Sequence, residues 1–200
     1  MKKSVEIQIL EKIKKKNGGT LFFTDGILED VNPDAVRKAL ERLVKSGELE
    51  RVATGIYVRP VIDNIIGKVL PTIEEITSAI VKRDKARVVP TGNYAMYKLG
   101  LTTQVPLNIV YYSDTSARKI NIGKQTITFK KASSKNLSLI GEISKLAIQA
   151  LRTIGKDKAR EDEIKQIRTL LKKENSEHLH YDLQLAPVWI RKLIAPYLHE

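Results

Sequence analysis

Between Asn32 and Gly47 the apolar residues Val36, Ala39, Leu40, Leu43 and Val44 recur at steps of three and four, so they line one face of a helix. Asn32 offers a side-chain oxygen to the free N–H groups at the helix start. Pro33 suits the first helical position, and Asp34 complements the positive end. Gly47 marks the stop. Beyond it Leu49–Val52 and Ile56–Arg59 read as short strands joined through Ala53-Thr54-Gly55. Upstream, Val5, Ile7, Ile9, Leu10 and Ile13 mark a first amphipathic helix, capped by Ser4 and ended by Asn17-Gly18-Gly19. Thr20 to Phe23 is too short for a helix and reads as a strand. Thr24-Asp25 predicts the cap of a short second helix from Gly26 to about Glu29.

Helix, short strand, helix, helix, hairpin is the order of a winged helix-turn-helix, and it fills residues 1–60. The remainder, residues 61–200, reads as a mixed α/β domain with a helical C-terminal tail, so the fold class expected is α+β. Pro60 to Pro71 is a connector or an extended edge. Thr72 caps a helix whose Ile73, Ile76, Ala79 and Ile80 share a face. A strand at Ala86–Pro90, a short helix at Asn93–Leu99, and strands at Leu107–Tyr112, Arg118–Ile122 and Thr126–Lys131 follow. Helical patterns then cover Leu139–Ile154, Arg160–Lys173 and a terminal pair broken by Pro187.

Charge sharpens this picture. The 200 residues carry 35 basic and 23 acidic side chains, a formal net charge of +12, which favours a polyanionic partner. The excess peaks in the middle of the chain, not in the presumed DNA-binding head. Its cations there, Arg83, Lys85, Arg87, Arg118, Lys119, Lys124, Lys130 and Lys131, form a possible second basic surface. In the head, Arg37, Lys38, Arg42 and Lys45 fall outside the apolar stripe. Asn32, Asp34, Arg37 and Lys38 occupy the half of the helix that enters a major groove, where Arg can bond both acceptors of guanine. Arg51, Thr54 and Arg59 on the wing suit phosphate contacts, which set register. Each wing Arg reads nearly as well as a solvated strand-edge residue.

Other chemistry is thin. With no cysteine, disulfides, thiolate metal sites and thiol catalysis are excluded. The amphipathic start is interrupted by Glu6, Gln8, Glu11 and Lys12, so it is no signal peptide, and no run is long and apolar enough for a membrane span. His178 and His180 sit two apart, on different faces of a helix, and with His199 they are the only histidines. No catalytic residue, metal site or cofactor is expected. Thr91-Gly92-Asn93 before a short helix could make an anion-binding turn, but Tyr94, Met96 and Tyr97 read as core.

A head ending in GELERVATGIYVRP, followed by VVPTGNYAMYKLGLTTQVP and a basic hairpin, resembles the AbiEi-type antitoxins of abortive-infection toxin–antitoxin systems over about residues 5–135. The resemblance implies a winged helix followed by an antitoxin domain. It further implies a protein that represses its own promoter by binding double-stranded DNA and counters a nucleotidyltransferase-type toxin; the lack of cysteine agrees with a cytoplasmic protein, and the thin catalytic chemistry with one that is not an enzyme. In that family the recognition helix and wing bind DNA, which corresponds here to Asn32–Lys45 and Arg51–Arg59. The rival expectations are a winged-helix regulator with a ligand- or protein-sensing C-terminal domain and no toxin, and an enzyme acting on nucleotides or RNA. Binding as a dimer on a palindrome and binding as monomers on separate repeats both remain open.

Overall fold

A computed structural model of the chain describes residues 3–194. It is a mixed α+β protein with nine helices and nine strands among those residues. It divides into two compact units, Met1–Lys82 with Ile120–Gly123, and Arg83–Lys119 with Lys124–Glu200. Among the described residues no helix is long and apolar enough to cross a membrane.

The first unit opens with α1 (Val5–Lys14), whose Ser4 side chain accepts from the Ile7 N–H. It continues through β1 (Leu21–Phe23), α2 (Pro33–Lys45), β2 (Glu50–Ala53) and β3 (Ile56–Val58). The three strands form one antiparallel sheet in the order β1-β3-β2. Its core gathers Ile9 and Ile13 of α1, Val36, Ala39, Leu40 and Leu43 of α2, and Leu49 and Tyr57 beside them. The helical spacing of those apolar residues is therefore what turns α2 toward α1 and the sheet.

The short second helix expected from Gly26 to Glu29 is not formed; residues 24–31 run as turns and bends. Gly26 at φ 79° and Asp30 at φ 57° take left-handed backbone that no α-helix accommodates. The hydroxyl expected to cap that helix is also engaged elsewhere. Thr24 donates from its N–H (3.0 Å) and, at 3.4 Å, its Oγ1 to the Gly55 carbonyl in the β2–β3 turn. Within the Pro60–Pro71 segment, expected as a connector or extended edge, lies an antiparallel pair, β4 (Val61–Asp63) with β5 (Gly67–Val69). Helix α3 (Ile73–Asp84) then starts on a reciprocal cap: Glu75 accepts from Thr72 N–H at 2.7 Å, and Thr72 Oγ1 accepts from Glu75 N–H at 3.2 Å.

Further along come β6 (Val88–Thr91), α4 (Gly92–Lys98), β7 (Asn108–Ser113), β8 (Arg118–Ile122) and β9 (Gln125–Lys131), giving a four-stranded sheet of order β6-β7-β9-β8 that lies in the second unit except for the end of β8 from Ile120. β6 pairs antiparallel with β7, whereas β7 and β9 run parallel, Tyr111 opposite Phe129. Then come α5 (Ser134–Leu137), α6 (Glu142–Ile154), α7 (Glu161–Leu171), α8 (Ser176–Leu185) and α9 (Val188–Ile194), with Pro187 at the last break. Ala147, Ile148, Ala150 and Leu151 of α6 sit at the centre of this core, against Ala95 and Leu99 of α4, Ile167 and Leu171 of α7, and Leu179 and Leu183 of α8.

The start of α6 depends on two distant carboxylates. Its cap residue, Gly141, has no side chain to satisfy the first N–H groups. Glu174 accepts from the Ile143 N–H (2.6 Å) and the Ser144 N–H (3.0 Å). The fully buried Asp182 accepts from the Ile140 and Gly141 N–H groups (2.8 and 3.0 Å) and from Ser144 Oγ (2.5 Å). Glycine is required at 141 because a Cβ there would lie 2.7 Å from Glu174 Oε2 and 2.0 Å from Ser144 Oγ. Burial pushes the Glu174 carboxyl up, but the N–H groups of Ser144, Ile143 and Asn175 outweigh it and hold it below its ordinary value.

A carboxyl lowered in the folded state stabilises fully above its unfolded pKa of about 4.3 and loses that contribution as pH falls through the lower folded value. Glu174→Gln should therefore melt about 3–6 °C below wild type at neutral pH, the gap narrowing below about pH 4. Thermal melts across pH check this; a constant gap at every pH would remove Glu174 ionisation from the capping of α6.

Candidate nucleic-acid interface

Helix α2 presents a polar face because its other face is committed to the core. Asn32 Oδ1 accepts from the Asp34 N–H at 2.8 Å, fixing the first turn. Asn32, Asp34, Arg37, Lys38, Arg42 and Lys45 are all exposed. They are not electrostatically equal. Arg37 reaches Asp34 at 3.2 Å, an exposed i,i+3 pair. Arg42 bonds Glu6 of α1 at 2.5 Å, tying the two helices together. Lys38 and Lys45 make no ion pair with any described residue.

The hairpin β2–β3 carries Arg51 exposed on β2 and Thr54 exposed at the turn. Gly55 takes φ 72°, the left-handed backbone this tight return needs. Arg59 is placed differently from Arg51 and Thr54. Arg59 is half-buried, and its guanidinium donates to the carbonyls of Lys16 (2.6 Å) and Lys14 (3.5 Å), at the negative end of α1. That contact gathers the run Lys14-Lys15-Lys16 at the base of the sheet. The run is plain in the sequence; its nearness to Arg59, 43 residues on, is not.

The middle cations split by type. Arg83 and Arg118 both bond Asp84, Arg83 at 2.7 Å, and Arg118 also lies over the Phe129 ring at 5.0 Å. Burial would raise the Asp84 carboxyl, yet the hydrogen bonds from Arg83 and Arg118 hold it low. Arg87 pairs with Asp114 at 3.3 Å across the β6–β7 edge. Lys85, Lys119, Lys124, Lys130 and Lys131 are exposed and make no ion pair with a described residue.

The Thr91-Gly92-Asn93 turn runs into the core. Thr91 is buried, its hydroxyl 3.5 Å from Gln149 Oε1, and Tyr94 packs on Tyr97 and Tyr111. His178 is exposed, and His180 Nε2 lies 3.0 Å from Gln184 Nε2; His199 lies outside the described residues. Among the described residues no group of three or more His, Asp or Glu is placed to hold a metal ion.

Residues 8–179 match a family of unknown function, DUF6088. The chain belongs to this family. No curated protein matches it. The DUF6088 match begins inside α1 and ends inside α8, so it takes in α2, both hairpins of the first unit and the four-stranded sheet.

The arrangement around Arg118 predicts a structural role. Arg118→Ala leaves Asp84 with Arg83 as its remaining partner and uncovers Phe129, and should destabilise by about 1–2 kcal/mol in urea unfolding. Lys119→Ala on the same strand should change stability by less than about 0.5 kcal/mol. Equal losses would contradict the division between pairing arginines and solvated lysines.

Proposed function

We propose that this protein is a sequence-specific DNA-binding antitoxin that represses its own toxin–antitoxin operon in the cytoplasm and counters a nucleotidyltransferase-type toxin. It acts by binding and not by catalysis. The observation that carries the DNA reading is the outer face of α2, where Arg37, Lys38 and Lys45 stand exposed on a helix anchored by its opposite face. The succession α1, β1, α2, β2, β3 with sheet order β1-β3-β2 supports a winged helix. In this reading the turns at 24–31 take the place of the middle helix. Arg37 and Lys38 read bases in the major groove, and Arg51 and Thr54 touch phosphate from the wing. Arg59, held by the end of α1, braces the wing instead of reaching from it.

The antitoxin half of the proposal rests on the resemblance of residues 5–135 to AbiEi-type antitoxins, carried by the Gly55-Ile56-Tyr57 return and the Pro90-to-Leu101 segment in order. The lysines Lys85, Lys119, Lys124, Lys130 and Lys131, free of ion pairs among the described residues, supply a second cationic surface for further DNA or an acidic partner.

Replacing Arg37 and Lys38 by Ala should weaken binding to the upstream region about 10–100-fold and binding to random duplex far less. Equal losses in gel shift or fluorescence anisotropy would reject base reading by α2. Arg51→Ala should weaken both duplexes alike and reduce the log–log salt slope by about 0.9; an unaltered slope takes the wing off the DNA. Co-expression with a nucleotidyltransferase encoded beside it should restore growth that the nucleotidyltransferase alone arrests. Unrelieved arrest by such a toxin would leave a DNA-binding regulator without antitoxin action.

A further inference from the structure

The hairpin β4–β5, in the segment VIDNIIGKVL, holds its aliphatic side chains out to solvent. Ile65 is 94% exposed, Ile66 73% and Ile62 66%, and Leu70, Val61 and Val69 are exposed as well. Single exposed aliphatics are ordinary; six within one ten-residue segment form a patch that calls for a partner. The backbone points the same way. This sheet has only two strands of three residues, so both outer edges lack ladder partners, and such a hairpin is marginal in water by itself.

The charges on the hairpin are already answered within the unit. Asp63 Oδ1 accepts from the N–H groups of Ile65 and Ile66 at 2.8 and 3.0 Å, which lowers its carboxyl pKa, and Lys68 bonds Glu50 at 2.6 Å. No free cation remains there for nucleic acid or an acidic protein. What is left to recognise is an aliphatic, charge-balanced surface with open strand edges. We propose that this hairpin is a self-association surface whose occupant is the same hairpin of a second copy of the chain.

Two further considerations fit a second copy. Each chain carries a net charge of +12, so two copies can meet closely only where charge is locally balanced, as it is at Asp63 and at the Lys68–Glu50 pair. The exposed aliphatic area, roughly 350 Å² at about 100 Å² per fully exposed side chain, falls somewhat short of the apolar share of a standard interface, about 450–500 Å² per partner. The hairpin therefore supports a weak two-fold dimer, each copy giving the same residues to the contact. This inference stands apart from the DNA reading, since no residue of α2 or of the β2–β3 turn enters it.

Sedimentation of the full chain without DNA, from low micromolar to several hundred micromolar, tests it directly. Wild type should pass from monomer to dimer, and Ile65→Asp with Ile66→Asp should stay monomeric with an unchanged far-UV circular dichroism spectrum. Because the chain has no cysteine, Ile65→Cys or Ile66→Cys under mild oxidation should give a disulfide-linked dimer that Asp25→Cys does not. A monomeric wild type throughout the range overturns the proposal, as does an Asp variant that dimerises equally well. A wild-type monomer recruited to phosphatidylcholine–phosphatidylserine vesicles through Ile65 and Ile66 also overturns it, assigning the patch to lipid. Operator binding is not measured in these experiments, so loss of the DNA reading leaves their outcome intact.

Discussion

The burial of Val36, Ala39, Leu40 and Leu43 against Ile9, Ile13 and Tyr57 is the constraint on which the first unit depends. A helix has one rotation about its axis that hides such a stripe, and that rotation dictates what remains outside. Once the stripe is inside, Arg37, Lys38, Glu41, Arg42 and Lys45 must face solvent. Burying several aliphatic side chains at about 1.5–3 kcal/mol each far exceeds anything an exposed ion pair contributes. The polar face of α2 is thus a consequence of the core, and any DNA contact uses a surface the fold presents already.

The second unit meets a different constraint with the same economy of means. A helix with one face committed to the core, as α6 has, still leaves the first N–H groups of its backbone in need of acceptors. Gly141 leaves room, and Glu174 and Asp182 enter from α8 and the turn before it to accept those N–H groups. Negative charge also complements the positive end of the helix. Two carboxylates that look like loop and helix-surface residues in the sequence become the anchor that joins α6 to α8.

Across both units the cations divide by chemistry. Arg42, Arg59, Arg83, Arg87 and Arg118 are spent on carboxylates, carbonyls or an aromatic ring, where a planar fork makes directional bonds at little cost in order. The lysines of the two basic surfaces are left solvated. A field made mostly of lysine point charges attracts polyanions without reading sequence; under the proposed DNA reading, base discrimination would fall to Arg37, whose tie to exposed Asp34 is weak, with Lys38 beside it.

Periodicity and turn signals disclosed α1, α2, α3, the β2–β3 hairpin and the helical run after Asn136, because the stripe that forms a helix is written in residues three and four apart. It also showed which cations of α2 lie outside that stripe. Tertiary structure decided the rest, through contacts between residues far apart in the chain. Thr24 looks like a helix cap until the Gly55 carbonyl, 31 residues later, takes its hydroxyl. Arg59 looks like a wing cation until the end of α1 receives it, and Asp182 meets Ser144 across 38 residues. The exposure of Ile65 and Ile66 belongs here too, since an aliphatic run announces burial in sequence and only the packing around it leaves it bare. Local pattern specifies elements through geometry that repeats every few residues; which side chain completes which hydrogen bond depends on where the folded chain returns.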